Sequence, residues 1–147
     1  MAQSLVKILV HIVFSTKNRE PLIDPGVEDG LYRYISGIVE NNRAKLIIAN
    51  GTENHSHLLV SLGKNDVSVL VGDIKRDSSL WMKQQGVKRF YWQRGYGAFS
   101  IGQSQVKVVS KYIANQKLHH RTQTFQDEFR LLCQKYELEL DERYCWE

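Results

Sequence analysis

The stretch Ala44-Lys45-Leu46-Ile47-Ile48-Ala49-Asn50-Gly51-Thr52-Glu53-Asn54-His55-Ser56-His57-Leu58-Leu59-Val60-Ser61-Leu62 decides how this chain folds. Ala44 to Asn50 is apolar and predicts a strand, and Gly51-Thr52-Glu53-Asn54 predicts a turn. His55 to Leu62 predicts a second, buried strand, so the two form a hairpin. Alternate strand residues share a face. His55 and His57 therefore project side by side from the start of a rigid element, with Ser56 on the opposite face. Neutral imidazole is a good ligand for a divalent metal. Two ligands leave a site incomplete, so the rest of the chain must supply others.

Working outward, Leu5 to Phe14 reads as a first strand, and Ser15 to Asp24 as a polar loop marked by Pro21 and Pro25. Val27 to Asn41 places Leu31, Tyr34, Ile35 and Ile38 at helical spacing, and Asn41-Asn42 ends it. Val67 to Gln85 forms a second helix, with Val67, Leu70, Val71, Ile74, Leu80, Trp81 and Gln84 spaced for one buried face. Arg89 to Trp92 and Gly97 to Ile101 read as short strands. Ser104, as an N-cap, opens a third helix running to about Leu118. Phe125 to Tyr136 is a fourth. The order βαββαβ predicts an α+β, ferredoxin-like (RRM-like) fold, an antiparallel sheet with helices on one face, followed by a tyrosine-bearing helix toward the C-terminus. One domain is expected over 1–147, with a core over about 5–120 and a C-terminal helix and tail over about 121–147.

Of the 147 residues, 42% are hydrophobic, enough for a core, and only 2 are proline and 10 glycine, which argues against disorder. A net charge of +4 is mild and compatible with nucleic acid without requiring it. The only cysteines, Cys133 and Cys145, lack C-x-x-C spacing, which excludes a disulfide framework or cysteine zinc site and suits a reducing compartment. The Leu5 to Phe14 run is too short for a membrane span and lacks a signal cleavage site. A soluble cytoplasmic protein is expected.

In the third helix Tyr112 and Gln116 are four residues apart and so share a face, about 5–6 Å between Cβ atoms. A phenol is a potential nucleophile and an amide oxygen a potential metal ligand. With the histidine pair this makes two nitrogens, one oxygen and an adjacent nucleophile. Such a set leaves positions open for phosphate oxygens and water, the requirement for metal-assisted attack on a phosphodiester.

His55-Ser56-His57-Leu58-Leu59-Val60 resembles the histidine–hydrophobic–histidine (HUH) motif, and Tyr112 with Gln116 resembles its partner tyrosine-helix motif. Tyr91-Trp92-Gln93-Arg94-Gly95-Tyr96, Asn115-Gln116, His119-His120 and Phe125-Gln126 follow in the same order. The combination is similar to the single-tyrosine HUH transposases of small bacterial insertion sequences, the IS200-like group, from Val10-His11-Ile12-Val13-Phe14 to the C-terminal helix. The resemblance implies cleavage and rejoining of single-stranded DNA with hairpin ends through a 5′-phosphotyrosine at Tyr112. It implies Mg²⁺ or Mn²⁺ held by His55, His57 and Gln116. It also implies a nucleoid-associated homodimer whose tyrosine helix serves the partner's histidines. Ser56 departs from the pattern, which favours a hydrophobic residue there.

Other residues have plainer readings. Adjacent helical residues point about 100° apart, so His119 and His120 cannot easily chelate one ion and read as DNA-contacting or structural. His11 reads as a sheet-face histidine. Lys75, Arg76, Lys83, Lys88, Arg89 and Arg94 interleave with Trp81, Phe90, Tyr91, Trp92 and Tyr96. Cations can neutralise phosphate and aromatics can stack on unpaired bases, which makes Arg94, Lys75, Arg76, Lys83 and Tyr96 the candidate DNA contacts. The acidic run Asp127, Glu128, Glu137, Glu139, Asp141 and Glu142 reads as a solvated face. The alternative function is a domesticated or inactive relative that binds single-stranded DNA or RNA, since RNA-recognition domains share this topology. A two-histidine phosphoesterase needs two H-x-S/T units, and only His120-Arg121-Thr122 fits.

Overall fold

The computed structural model describes residues 2–147. The elements are β1 (Leu9–Ser15), α1 (Pro25–Asn41), β2 (Lys45–Thr52), β3 (His55–Ser61), α2 (Val67–Gln84), β4 (Gly97–Ile101), α3 (Val106–Ala114), α4 (Gln116–His119) and α5 (Phe125–Lys135). The strands form one antiparallel sheet in the order β2-β3-β1-β4, the arrangement that βαββαβ connectivity predicts. Proline at the start of α1 suits a position whose N–H has no helical partner. Asp66 caps α2 through the Ser68 and Val69 N–H groups, and Thr124 caps α5 through that of Asp127.

The period-two pattern sorts side chains to two faces. Val10, Ile12, Phe14, Leu58 and Val60 pack with Leu31, Ile35 and Val39 of α1 and with Leu70, Val71, Ile74 and Met82 of α2. On the other face Val13 and Phe99 pack with Phe125, Phe129 and Cys133 of α5. Helices thus cover both faces. His55 sits opposite Ser15 and His57 opposite Val13, so both histidines lie on the α5 side.

Two glycines are required by close approach. A Cβ on Gly51 would lie 2.0 Å from the His55 carbonyl oxygen, and one on Gly97 would lie 2.8 Å from the Phe129 ring.

Three elements differ from expectation. β1 starts at Leu9, because pairing with β3 and β4 ends there, opposite Ser61 and Ile101. Leu5, Val6 and Ile8 are left exposed, as is Leu80, which lies off the buried face of α2. The Arg89 to Trp92 strand is absent apart from one bridge between Thr16 and Trp92. Phe90 and Trp92 instead enter the core, where the Trp92 indole donates to Ser78 Oγ at 2.9 Å. Ser104 makes no cap; it lies in a 3₁₀ turn over Gln103–Gln105. The third helix also breaks at Asn115. There Asn50 Nδ2 donates to the carbonyls of Ile113 and Ala114, at 3.0 and 3.1 Å, in place of the next helical N–H groups.

Candidate metal centre and tyrosine

β3 supplies His55 and His57, fully buried, at the centre of the sheet. The short α4 supplies Gln116 and leads into His120, and α5 supplies Glu128, 1% exposed. His55, His57, His120 and Glu128 bring one ligand atom each to within 4.8 Å of one another, a group that can hold a metal ion. Glu128 Oε1 lies 2.9 Å from both His57 Nε2 and His120 Nε2, and 3.6 Å from His55 Nε2. Gln116 Nε2 donates to Glu128 Oε2 at 2.9 Å, and the Tyr112 hydroxyl donates to that same oxygen.

The outer contacts orient these rings. His55 Nδ1 faces Thr52 Oγ1 at 2.8 Å and Asn54 Oδ1 at 2.9 Å. An amide oxygen only accepts, so Nδ1 carries the hydrogen and Nε2 presents a lone pair. That lone pair faces Gln116 Oε1 at 3.0 Å, an acceptor against an acceptor. His120 Nδ1 donates to the Gln123 carbonyl at 2.7 Å, which turns its Nε2 inward. Three Nε2 atoms converge beside a buried carboxylate, and once a cation replaces the hydrogens that His57 and His120 share with Glu128, they form the donor set a divalent cation requires. His11 Nε2 lies 2.8 Å from His57 Nδ1 and fixes that ring from behind.

The electrostatics follow from burial. Burial, then the neighbouring His57 and His120, pushes the His55 imidazole down to about 3. Burial and His57 do the same to His11. At Glu128 burial acts upward, but hydrogen bonds from His120 and His57, the His57 charge and the Tyr112 bond outweigh it and hold the carboxyl below its ordinary range. At His120 burial acts downward, and the hydrogen bond and charge of Glu128 overcome it and raise the ring. Burial and the Glu128 charge raise the Tyr112 phenol, so it is a poor nucleophile without help.

A family model described as "Transposase IS200 like" matches residues 4–116, most of the chain. The chain belongs to the IS200-like transposase family. The chain aligns with a solved structure from Deinococcus radiodurans R1 at 22% identity and a TM-score of 0.61, over 79% of this chain and 95% of that one. It also aligns with a REP-associated tyrosine transposase bound to a REP hairpin, at 17% identity and a TM-score of 0.62, over 82% of this chain and 73% of that one. At these identities the two structures show a shared fold. No curated protein matches the chain.

The fold brings His55, His57, Tyr112 and Gln116 together. It adds Glu128 and His120, for which the sequence suggested other places. Glu128 is no part of a solvated face: the α5 stripe carrying Phe125 and Phe129 turns it inward. His119 and His120 do diverge. His119 stacks on the Tyr112 ring at 4.9 Å, while His120 meets the His55 ring at 4.3 Å. Both Glu128 and His120 lie beyond the matched span, on residues after the helix break. The available signal was the three-residue step from Phe125 to Glu128, which puts a carboxylate on an apolar stripe.

The basic candidates are divided. Lys75 Nζ donates to the carbonyls of Gln93, Arg94 and Gly95 at 2.9, 3.2 and 2.6 Å, with the Tyr96 ring 5.5 Å away. Arg76 pairs with Asp73 and Asp77 on the surface. Lys83 donates to Ser79 Oγ and lies 4.1 Å over the Tyr91 ring. The exposed Arg94 makes no side-chain hydrogen bond or ion pair among the described residues. Among these residues no helix is long and apolar enough to cross a membrane.

Proposed function

We propose that this chain cuts and rejoins single-stranded DNA with Tyr112 as the nucleophile. The observation that carries this reading is the Tyr112–Glu128 hydrogen bond, which joins a candidate nucleophile to the carboxylate inside the histidine cluster. Tyr112 Oη attacks the phosphorus, the P–O3′ bond breaks, and a 5′-phosphotyrosine and a free 3′-hydroxyl result. Glu128 Oε2 accepts the phenolic hydrogen bond and orients Oη; the proton it loses on attack passes to water, and the departing O3′ takes one from water. The ester keeps the phosphodiester's energy, so a 3′-hydroxyl can later attack it and rejoin DNA without ATP.

His55, His57, His120 and Glu128 would hold a divalent cation, Mg²⁺ or Mn²⁺, with Gln116 Oε1 facing the same space. When bound, it would supply Lewis-acid charge to the scissile phosphate. The stacked His119 ring holds the phenol's plane, and His11 holds that of His57. Hairpin-ended DNA as substrate is in keeping with the hairpin-bound relative.

The resemblance implies a homodimer with exchanged tyrosine helices. The contacts within this chain support a site completed in one subunit. α3 and α4 are tied to their own β2 by Asn50, and Lys117 Nζ reaches Glu28 and Asn50 at 2.7 and 2.8 Å. The test is incubation with single-stranded ends of the element in Mn²⁺. A covalent adduct that Tyr112→Phe abolishes is the expected result, and an undiminished adduct in the variant overturns the reading.

A further inference from the structure

A cavity of about 440 Å³ lies away from the histidine cluster, lined by Lys17, Asn18, Tyr91, Trp92, Arg94 and Glu147. We propose that it holds one unpaired nucleotide of the substrate strand, its phosphate between Lys17 and Arg94 and its base against Tyr91. This proposal rests on the single-strand cleavage reading above.

The position follows from the sheet. Ser15 ends β1 opposite His55. The chain then runs on, with Thr16 N–H bonded to the Asn54 carbonyl at 2.8 Å and Lys17 N–H to that of Tyr91 at 2.7 Å. Lys17 thus stands two residues, roughly 7 Å of strand, past the level of the histidine pair. A single strand with a phosphate at the cluster has neighbouring nucleotides within reach of it.

The turn after Thr16 is held in an unfavourable shape. Asn18 and Arg19 both have positive φ, 57° and 54°. Such a pair persists only where contacts impose it. Arg19 Nη1 donates to the Trp146 carbonyl at 2.6 Å, and Thr16 Oγ1 donates to that of Glu20 at 2.7 Å. The last residues brace the opposite wall, where the Glu147 main-chain oxygen accepts from Arg94 and Gly95 N–H at 2.7 and 3.2 Å.

The chemistry of the lining fits a nucleotide. Tyr91 is 54% exposed although its neighbours Phe90 and Trp92 are buried, so its ring is presented rather than packed. Lys17 Nζ lies 5.9 Å from that ring, and Arg94 lines the same cavity. Among the described residues neither cation has a carboxylate partner, Glu147 included. A second cavity of about 390 Å³ shares Tyr91, Trp92 and Arg94 with the first, but its Lys75 and Arg76 are engaged by carbonyls and aspartates and its Lys83 donates to Ser79 Oγ. Arg94 and Tyr91 border both cavities, so Lys17, which lines only the first and has no carboxylate partner among the described residues, selects it. Stacking on an aromatic ring tolerates any base.

The test is binding, measured in EDTA on the Tyr112→Phe background so that no cleavage intervenes. The probe is a fluorescent oligothymidylate of about 20 nucleotides, longer than one OB-fold-sized site. Tyr91→Ala should weaken binding roughly five- to hundred-fold, and Tyr91→Trp should restore it. Lys17→Gln and Arg94→Gln should each lower the slope of log affinity against log salt by about 0.7. Affinity within two-fold of the parent in Tyr91→Ala, or no binding by the parent, overturns the pocket. The Tyr112 adduct is scored separately with the wild-type chain. An adduct without a Tyr91 effect leaves cleavage standing and removes the pocket, and a Tyr91 effect without an adduct does the reverse.

Discussion

The Tyr112 hydroxyl donates to Glu128 Oε2, tying the end of α3 to the first turn of α5 across the face of the sheet that carries His55 and His57. One carboxylate thereby touches the candidate nucleophile, two imidazoles and the Gln116 amide.

Glu128→Gln keeps the shape of this centre but removes its charge. Mn²⁺ affinity should fall 10- to 100-fold or more, the scale seen when groups around a metal are altered. Titration calorimetry of the folded variant checks it, with His120→Ala expected in the same range. Unchanged affinity in both would remove α5 and the α4 end from the metal centre.

Tyr112→Phe should leave the fold intact and abolish the covalent DNA adduct seen on a denaturing gel. Loss of one hydrogen bond to a charged group should lower stability by about 2 kcal/mol. His57→Ala, by contrast, should reduce the adduct and the dependence on Mn²⁺ together.

Mixing the Tyr112→Phe and His57→Ala chains distinguishes the two assemblies. A site completed within one chain predicts no recovery of adduct formation. Recovery toward a quarter or more of wild-type yield would show that tyrosine helices are exchanged between subunits.

The metal-free chain should lose stability in acid. Exposed imidazoles titrate near 6.5, whereas His55 and His11 are held at about 3. Below about 6.5 the unfolded chain binds protons that the native chain refuses, so stability is complete above that pH and falls as pH drops toward 3. Each ring contributes on the order of 1 kcal/mol per pH unit. The raised His120 acts in the opposite sense, adding stability at low pH that is lost as pH rises through its native value. Urea melts in EDTA should show a net decrease of roughly 2 kcal/mol from pH 7 to pH 5. A flat profile would contradict the burial of these two rings.

Gly51→Ala should be severe. The new Cβ would meet the His55 carbonyl, a backbone atom that cannot swing aside. A loss of about 3 kcal/mol or more is expected, with weakened Mn²⁺ binding because His55 must shift. Thermal melts and the same calorimetry check both effects.

The hairpin around Gly51 and the helical spacing of α1 and α2 were legible along the chain, whereas Tyr112 and Gln116 meet at Glu128 Oε2 across a helix break, not on one continuous helix. The hairpin and the helical spacing each depend on residues within a few positions of one another, and local periodicity reports such relations. The break at Asn115 was not legible, because Asn50, a residue of β2, supplies the competing donors. Nor was the fate of Arg89 to Trp92, whose alternation of exposed and buried residues arises from Phe90 and Trp92 filling a core beneath α2 rather than from strand pairing.

By itself the sequence determined the βαββαβ order, the shared face of His55 and His57, and the family. Only the tertiary structure decided that Glu128 and His120 complete the cluster, that Lys75 holds a loop, and that Lys17 and Arg94 flank one cavity. The physical reason is separation. A histidine on β3 and a glutamate 71 residues away on α5 meet only when an apolar helix face seats on the sheet, and nothing in the local pattern of either segment records that contact.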